Sequence, residues 1–168
     1  SRISHKYIDR AHNDRIKINK DSPEAFEEVF WNSINESQSN NFYKYVSIIL
    51  KKNNSLRYLS KNNSNYKRIN KLKNIFPNCK IIILYREPLD HSNSLLMQHI
   101  KFNKINKNEK FVLKYMNYLF HNEFGPGYKS WNKSIDYINN LDLNHWLEQW
   151  YLFYKDLINY SKDQNIIF

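Results

Sequence analysis

The sequence predicts an α/β protein in which parallel strands alternate with helices. Ile81–Tyr85 is a continuous apolar run that is too short for a helix and is typical of a parallel strand covered on both faces. Arg86 ends the run, and Pro88 then favours a helix start, because the N–H group that proline lacks has no partner in a first helical turn. Leu56–Ser60 is a second short run followed by a basic residue and a helical pattern. Two such strand–helix units indicate a parallel sheet.

The other helices are predicted from apolar residues at helical spacing and from residues that favour helix ends. Asp21 and Ser22 stand directly before Pro23, a combination that indicates the start of the first helix. Further helices are expected over residues 42–52, 66–76, 111–124 and 144–163.

The helix that follows Arg86 is expected to belong to an anion-binding site. Its apolar side is predicted to contain Leu89, Leu96 and Ile100, and Ser94 lies two turns in, eight residues after Arg86. The guanidinium, free N–H groups at the helix start and the hydroxyl together suit a phosphate, because an arginine fork binds two oxygens and the helix dipole favours negative charge. An ordinary salt bridge at Arg86 and a solvated Ser94 are the alternative interpretation.

Composition indicates a folded chain with an excess of positive charge. The 168 residues are 41% hydrophobic and 16% aromatic, which suits one domain with a sizeable core. The net charge of +10 would also fit a nucleic-acid-binding protein. However, the basic residues are spread along the chain among Asn, Ile and Tyr, while alanine occurs only at Ala11 and Ala25. This skew indicates codon bias toward A and T more than a polyanion-binding surface, although the charge would still attract an anionic cofactor.

The single cysteine and the chain ends bear on location and extent. Cys79 cannot form an intrachain disulfide, which favours a reducing compartment and predicts a cytoplasmic location. No stretch approaches the roughly 18 apolar residues of a membrane span. The sequence opens at Ser1, and Asn165–Phe168 is typical of a strand that is cut short. We therefore expect residues 1–168 to form one domain that is truncated at both ends.

The segment KIIILYREPLDHSNSLL resembles the 3′-phosphate-binding segment of the sulfotransferase family. In that family a strand ends in Arg-(Asp/Asn)-Pro, and a serine follows on the next helix, eight residues after the arginine. Arg86 and Ser94 match this spacing. Residues 58–80 resemble the family's Lys-(Asn/Ser)-Pro element and the helix after it. The chain departs from the pattern at Glu87, where Asp or Asn is usual, and at Asn63, where Pro is usual.

This resemblance implies a partial P-loop NTPase-like parallel sheet with helices on both faces. It also implies transfer of a sulfuryl group from 3′-phosphoadenosine 5′-phosphosulfate (PAPS) to a hydroxyl or amine of a small molecule, glycan or other acceptor, without a metal. Arg86 and Ser94 would then hold the 3′-phosphate of the donor. The family's phosphosulfate loop is rich in glycine and follows the first strand, whereas Gly125 and Gly127 are the only glycines here. The sequence is therefore expected to begin after that loop.

The base that takes the proton of the acceptor is not apparent from the sequence. Lys61, at the end of the predicted strand, and His12 are weak candidates for a catalytic role. Lys61 would stand at the same edge of the sheet as Arg86 and meet a sulfuryl or phosphoryl oxygen there. His121 and Glu123 are a further candidate pair, although a histidine at a helix end is commonly only a favourable cap for the dipole.

Two other classes of protein stay open. One is a nucleotide-binding P-loop-type module related to the kinases, and the other is a basic nucleic-acid-binding domain. The glycines of GPGYKS, residues 125–130, do not make a Walker loop, because that loop needs G-x-x-x-x-G-K-[ST] between a strand and a helix. A nucleic-acid-binding domain needs a basic face, and basic and aromatic residues interleave in nearly every segment here. We therefore expect no nucleic-acid partner.

Overall fold

The computed structural model describes residues 8–9, 17–18, 26–35, 38–106 and 110–168. The strands in these ranges are β1 (Ile8–Asp9), β2 (Lys17–Ile18), β3 (Ile81–Ile82) and β4 (Ile166–Ile167). The helices are α1 (Glu27–Ser33), α2 (Asn41–Lys52), α3 (Ile69–Ile75), α4 (Pro88–Asn106), α5 (Lys110–Tyr118) and α6 (Leu143–Leu157). None of these six helices is both long and apolar enough to cross a lipid bilayer.

A parallel pair of strands connects the middle of the chain to its end. In this pair Ile81 of β3 lies beside Ile166 of β4, and Ile82 lies beside Ile167. The pair confirms a mixed α/β chain with parallel pairing, and it confirms that Asn165–Phe168 contains a strand. β1 and β2 form a separate antiparallel pair.

Helices cover one face of the parallel pair. Ile83 and Ile166 form a buried cluster with Ile69 of α3 and Leu157 of α6. Ile82 points to the opposite face, because side chains alternate along a strand, and it is 64% exposed. In the described ranges the predicted arrangement of helices on both faces is therefore not seen.

The predicted strand at Leu56–Ser60 is wrong. These residues have no regular secondary structure, and the described neighbour of β3 is β4. A strand persists only where a neighbouring strand bonds its backbone, and this segment has none among the described residues. Leu56 and Leu59 are consequently 98% and 94% exposed. Lys61 and Arg86 therefore do not stand at the ends of two neighbouring strands.

The helix predictions hold better than the strand predictions. α2 confirms the helix predicted over residues 42–52. α5 ends at Tyr118 and not at residue 124, because Phe120 adopts a left-handed backbone conformation with φ of 59°, which a right-handed helix cannot continue. The predicted start of the first helix at residues 21–23 lies outside the described residues.

α4 buries a polar face and not the apolar side predicted for it. Leu89 and Ile100 are exposed and Leu96 is only half-buried, whereas Ser92 and His99 are almost completely buried. Hydrophobic spacing within α4 therefore did not identify the side that packs against the rest of the chain.

The buried polar groups of α4 are satisfied by other elements. The Ser92 hydroxyl donates to the backbone carbonyl of Trp146 in α6 at 3.2 Å. The backbone N–H of Gly125, in the loop after α5, donates to His99 Nδ1 at 3.2 Å. Because both partners are distant in sequence, the spacing of residues within α4 could not reveal them.

A second buried polar group joins the same loop to α6. Tyr128 Oη lies 2.6 Å from His145 Nε2, and Gln149 Nε2 donates to Tyr128 Oη at 2.9 Å. His145 Nδ1 lies 3.0 Å from the carbonyl of Ile138, so Nδ1 carries the proton and Nε2 accepts from the tyrosine. Burial raises the pKa of Tyr128 to about 12, so its hydroxyl stays protonated as this arrangement requires.

We expect the free energy of unfolding to fall in mild acid because of His99 and His145. Burial lowers the pKa of both imidazoles below the usual 6.5, so the unfolded chain takes up their protons first. The stabilisation is therefore complete above about pH 6.5 and is lost as the pH falls below it, by up to about 1.4 kcal/mol per pH unit for each histidine. Urea unfolding at a series of pH values from about 7.5 to 5.5 would measure this slope.

Two variants separate this effect from general acid sensitivity. His145→Gln should reduce the slope of stability against pH, whereas His121→Asn, at a half-buried helix-end position, should leave it unchanged. An unchanged slope in His145→Gln would contradict the assignment.

Candidate active site

Arg86 and Ser94 flank the first two turns of α4, where the sequence predicts a phosphate site. Arg86 lies between β3 and α4, and Ser94 lies two turns into α4; both side chains are exposed. Neither side chain forms a hydrogen bond or ion pair with the residues that the structure describes. Ser92 differs, because it is buried and bonded to α6. The guanidinium and the Ser94 hydroxyl are thus available to a ligand.

Glu87 closes the start of α4. Its Oε1 accepts from the N–H of Leu89 at 3.1 Å, and its Oε2 accepts from the N–H of Asp90 at 2.6 Å. These two bonds, with a smaller effect of the Arg86 charge, lower the pKa of the Glu87 carboxyl. Glutamate therefore performs the capping that aspartate or asparagine performs more commonly. The expectation that these N–H groups are free for phosphate is wrong, because the carboxylate already occupies them.

His91 is a third group at this position that sequence reasoning missed. It lies between Arg86 and Ser94 in the chain, one helical turn before Ser94, and is half-buried. Its Nδ1 is buried and has no partner among the described residues. Burial lowers the pKa of His91, and the positive charge of Arg86 lowers it further. Arg86 therefore acts on this imidazole as well as on any ligand.

An apolar cavity of about 580 Å³ opens between β3 and the segment 58–63. This volume is within the range of about 300–1,000 Å³ that is usual for small-molecule sites. Its walls are chiefly apolar, and three ionisable groups lie among them: Glu27, Lys61 and His91. The cavity thus joins the region around α4 to the start of α1.

Glu27, the first residue of α1, is a buried carboxylate on the wall of this cavity. Ser60 Oγ donates to its Oε2 at 2.5 Å and Tyr58 Oη lies 3.4 Å from the same oxygen, while Oε1 has no partner in the described ranges. Burial raises the pKa of Tyr58, and the charge of Glu27 raises it further. No cation within the described residues forms an ion pair with Glu27, which is unusual for a carboxylate only 4% exposed.

The neighbouring glutamate shows the contrast. Arg68 Nη2 lies 2.5 Å from Glu28 Oε2, and the Arg68 guanidinium also stacks over the ring of Trp31 at 5.0 Å. Glu28 therefore has an ordinary structural partner and Glu27 does not. Two adjacent glutamates near a helix start were visible in the sequence, but only the structure distinguishes their surroundings.

Lys61 lies on the cavity wall, and its Nζ donates to Asn63 Oδ1 at 2.9 Å. His121 Nδ1 and Glu123 Oε2 are 3.7 Å apart, so this predicted pair is in contact. Burial raises the pKa of Glu123, but the bond from His121 and the charges of His121 and Lys61 outweigh it and lower the pKa overall. Glu123 is thus a carboxylate that two cations keep ionised, which makes it a poor base.

The remaining sequence predictions concern His12, the glycine loop and metals. His12 lies outside the described residues. The N–H of Gly125 donates to His99, so this group of the glycine loop is used within the fold, as expected for a loop that is not a Walker loop. No cluster of potential metal ligands occurs in the described ranges.

The fold and site define an α/β protein with a cationic position at the carboxyl end of a parallel strand, next to a helix start. The model of the sulfotransferase family matches residues 4–166, nearly the whole chain. The chain therefore belongs to the sulfotransferase family, which indicates sulfuryl transfer as its general activity. Neither the curated proteins nor the solved structures gave a significant match.

Glu87→Ala should lower the thermal unfolding midpoint at neutral pH, because two N–H groups at the start of α4 lose their acceptor. The pKa of Glu87 is lowered in the folded state, so its stabilisation is present above the usual value of 4.5 and disappears as the pH falls through the lower folded value. Wild type and Glu87→Ala should therefore differ at neutral pH and converge in strong acid. Differential scanning calorimetry would measure both midpoints.

Glu87→Asp is the matched control, since aspartate is an effective capping residue. It should keep most of the midpoint. Equal losses in the Ala and Asp variants would show that the carboxylate has another role.

Proposed function

We propose that this chain is part of an enzyme that transfers the sulfuryl group of PAPS to a hydroxyl or amine of a small molecule or glycan. The observation that carries the proposal is the unengaged pair of Arg86 and Ser94 at the start of α4 in a chain of the sulfotransferase family. A planar guanidinium binds two phosphate oxygens at once, and a hydroxyl donates to a third.

The surroundings of the other cations support this assignment. Arg68 is buried and paired with Glu28, and Lys73 forms an ion pair with Asp163. Arg86 has no such partner in the described part of the chain and stands at the carboxyl end of β3, where open α/β sheets bind their ligands. The residues present therefore fit the 3′-phosphate of the donor.

The donor supplies an activated sulfuryl group when it is bound. The chain's own task is positioning and charge stabilisation, as in phosphoryl transfer. Arg86 and Ser94 hold the donor by a phosphate away from the reacting sulfur and so fix its orientation. Lys61 offers a positive charge to oxygens that become more negative during transfer.

We assign the proton acceptor to Glu27. An acceptor hydroxyl or amine loses a proton when its oxygen or nitrogen bonds to sulfur, and a carboxylate oxygen without a partner, on a cavity wall, can take that proton. Ser60 and Tyr58 fix the other oxygen and leave Oε1 directed to its own partner. Glu27 replaces Lys61 and His12 as the candidate base.

The alternative classes have less support. A nucleotide-binding relative of the kinases or a basic nucleic-acid-binding domain would not account for the family match over residues 4–166. The net charge of +10 is equally suited to an anionic donor.

Arg86→Ala should weaken binding of adenosine 3′,5′-bisphosphate to the complete protein by about 2 to 4 kcal/mol, the scale for removing one partner of a close charge pair. Ser94→Ala should cost less, about 0.5 to 1.5 kcal/mol for one hydroxyl, or up to about 3 where the acceptor is charged. Neither change should alter the weaker binding of adenosine 5′-monophosphate. Isothermal titration calorimetry with both nucleotides would measure these differences.

Arg57→Ala and Ser161→Ala are matched controls, because both residues are exposed and distant in sequence from α4. They should leave both affinities unchanged. Equal losses for the two nucleotides in Arg86→Ala would mean that Arg86 acts through folding or general charge, and the site would be wrong.

Glu27→Gln should lower kcat of the complete enzyme by about 100-fold or more, the usual contribution of a general base. Binding of adenosine 3′,5′-bisphosphate should be unchanged, since Glu27 does not touch the 3′-phosphate in this assignment. Steady-state kinetics with calorimetry would test both points.

Glu148→Gln, at a half-buried position in α6, is the control and should keep full activity. If Glu27→Gln instead weakened nucleotide binding and stability with kcat intact, its role would be structural.

A further inference from the structure

The edge of β3 away from β4 is open in the described part of the chain. The N–H groups of Ile81 and Ile83 donate to the carbonyls of Asn165 and Ile167 at 2.9 and 2.8 Å. Because backbone groups alternate in direction along a parallel strand, the N–H groups of Ile82 and Leu84 point to the other edge. Among the described residues these two groups have no backbone partner.

Large apolar side chains surround this edge without covering one another. Ile82 and Leu84 of the strand region are 64% and 82% exposed, and Leu56 and Leu59 across the cavity are 98% and 94% exposed. Soluble proteins rarely leave such a contiguous apolar patch uncovered unless it binds something. The cavity of about 580 Å³ lies between these two sides.

The parallel pair is also too small to be stable alone. β3 and β4 are two residues long each, and two-stranded pairs are at best marginally stable in water. Parallel strands are normally covered on both faces, whereas Ile82 and Ile167 are exposed on one face here.

We propose that the open edge of β3 takes one more apolar β-strand, supplied by a part of the same protein that is encoded outside residues 1–168. The added strand lies in the cavity between β3 and the segment 56–60, bonds the N–H groups of Ile82 and Leu84, and covers Leu56 and Leu59. The segment 56–60 then gains the neighbour that it lacks. This proposal concerns the sheet and stands whether or not PAPS is the donor.

The open ladder decides in favour of a strand. A helix satisfies its own backbone groups and has none to offer Ile82 and Leu84, whereas an extended strand presents carbonyls at the matching spacing. A second copy of this chain is an outcome that the experiment distinguishes.

Hydrogen exchange would test the proposal by comparing the 168-residue chain with the same chain extended through its natural coding sequence. In the 168-residue chain the amides of Ile81 and Ile83 should exchange more slowly than those of Ile82 and Leu84. In the extended protein Ile82 and Leu84 should gain protection of about 100-fold or more, because their hydrogen bonds then open only with the sheet. Equal exchange of Ile82 and Leu84 in the two proteins would overturn the proposal.

A charge placed at the edge gives an independent measurement. Leu84→Lys should lower the unfolding midpoint of the extended protein by about 5 °C or more, because the ammonium is buried there, and should change the 168-residue chain little. Ile48→Lys, at a position 67% exposed on α2, is the control and should have little effect in either protein. Equal effects of Leu84→Lys in both proteins would count against an added strand. So would a concentration-dependent dimer of the 168-residue chain that protects Ile82 and Leu84, because it would identify a second copy as the occupant.

Discussion

The packing of α4 against α6 is the contact on which the rest of this structure depends. It is made through polar groups, Ser92 with the carbonyl of Trp146 and His99 with the N–H of Gly125, and each is satisfied. A shift of either helix would leave these groups buried without partners, so the contact fixes one register. Since α4 follows β3 and α6 precedes β4, the same contact holds the two strands side by side and sets the position of Arg86.

Electrostatic pairing divides the charged groups into structural and available ones. Arg68 and Glu28 satisfy each other, and Lys73 and Asp163 do the same. Arg86 has no anionic partner among the described residues, and it lies in a chain with a net charge of +10. That surplus raises the local concentration of an anionic donor, and the attraction weakens as salt screens it.

The cavity relates the site to the short sheet. One wall carries Glu27 and Lys61, and another is the strand region of β3. Tyr58 and Ser60 hold Glu27, so the segment that fails to form a strand still positions a carboxylate. Burial of that carboxylate without a cation costs free energy, which a structural role alone does not require.

Local information in the sequence determined the helices, the strand that ends near Arg86, and the resemblance that led to the family. α2 and the start of α4 follow from apolar spacing and from Pro88, because these depend on neighbours along the chain. The absence of a strand at Leu56–Ser60, the polar buried face of α4 and the exposure of Glu27 to the cavity were decided only by the tertiary structure. Each depends on a partner tens of residues away, and local periodicity carries no information about which distant group completes a ladder, accepts a hydrogen bond or leaves a carboxylate unpaired.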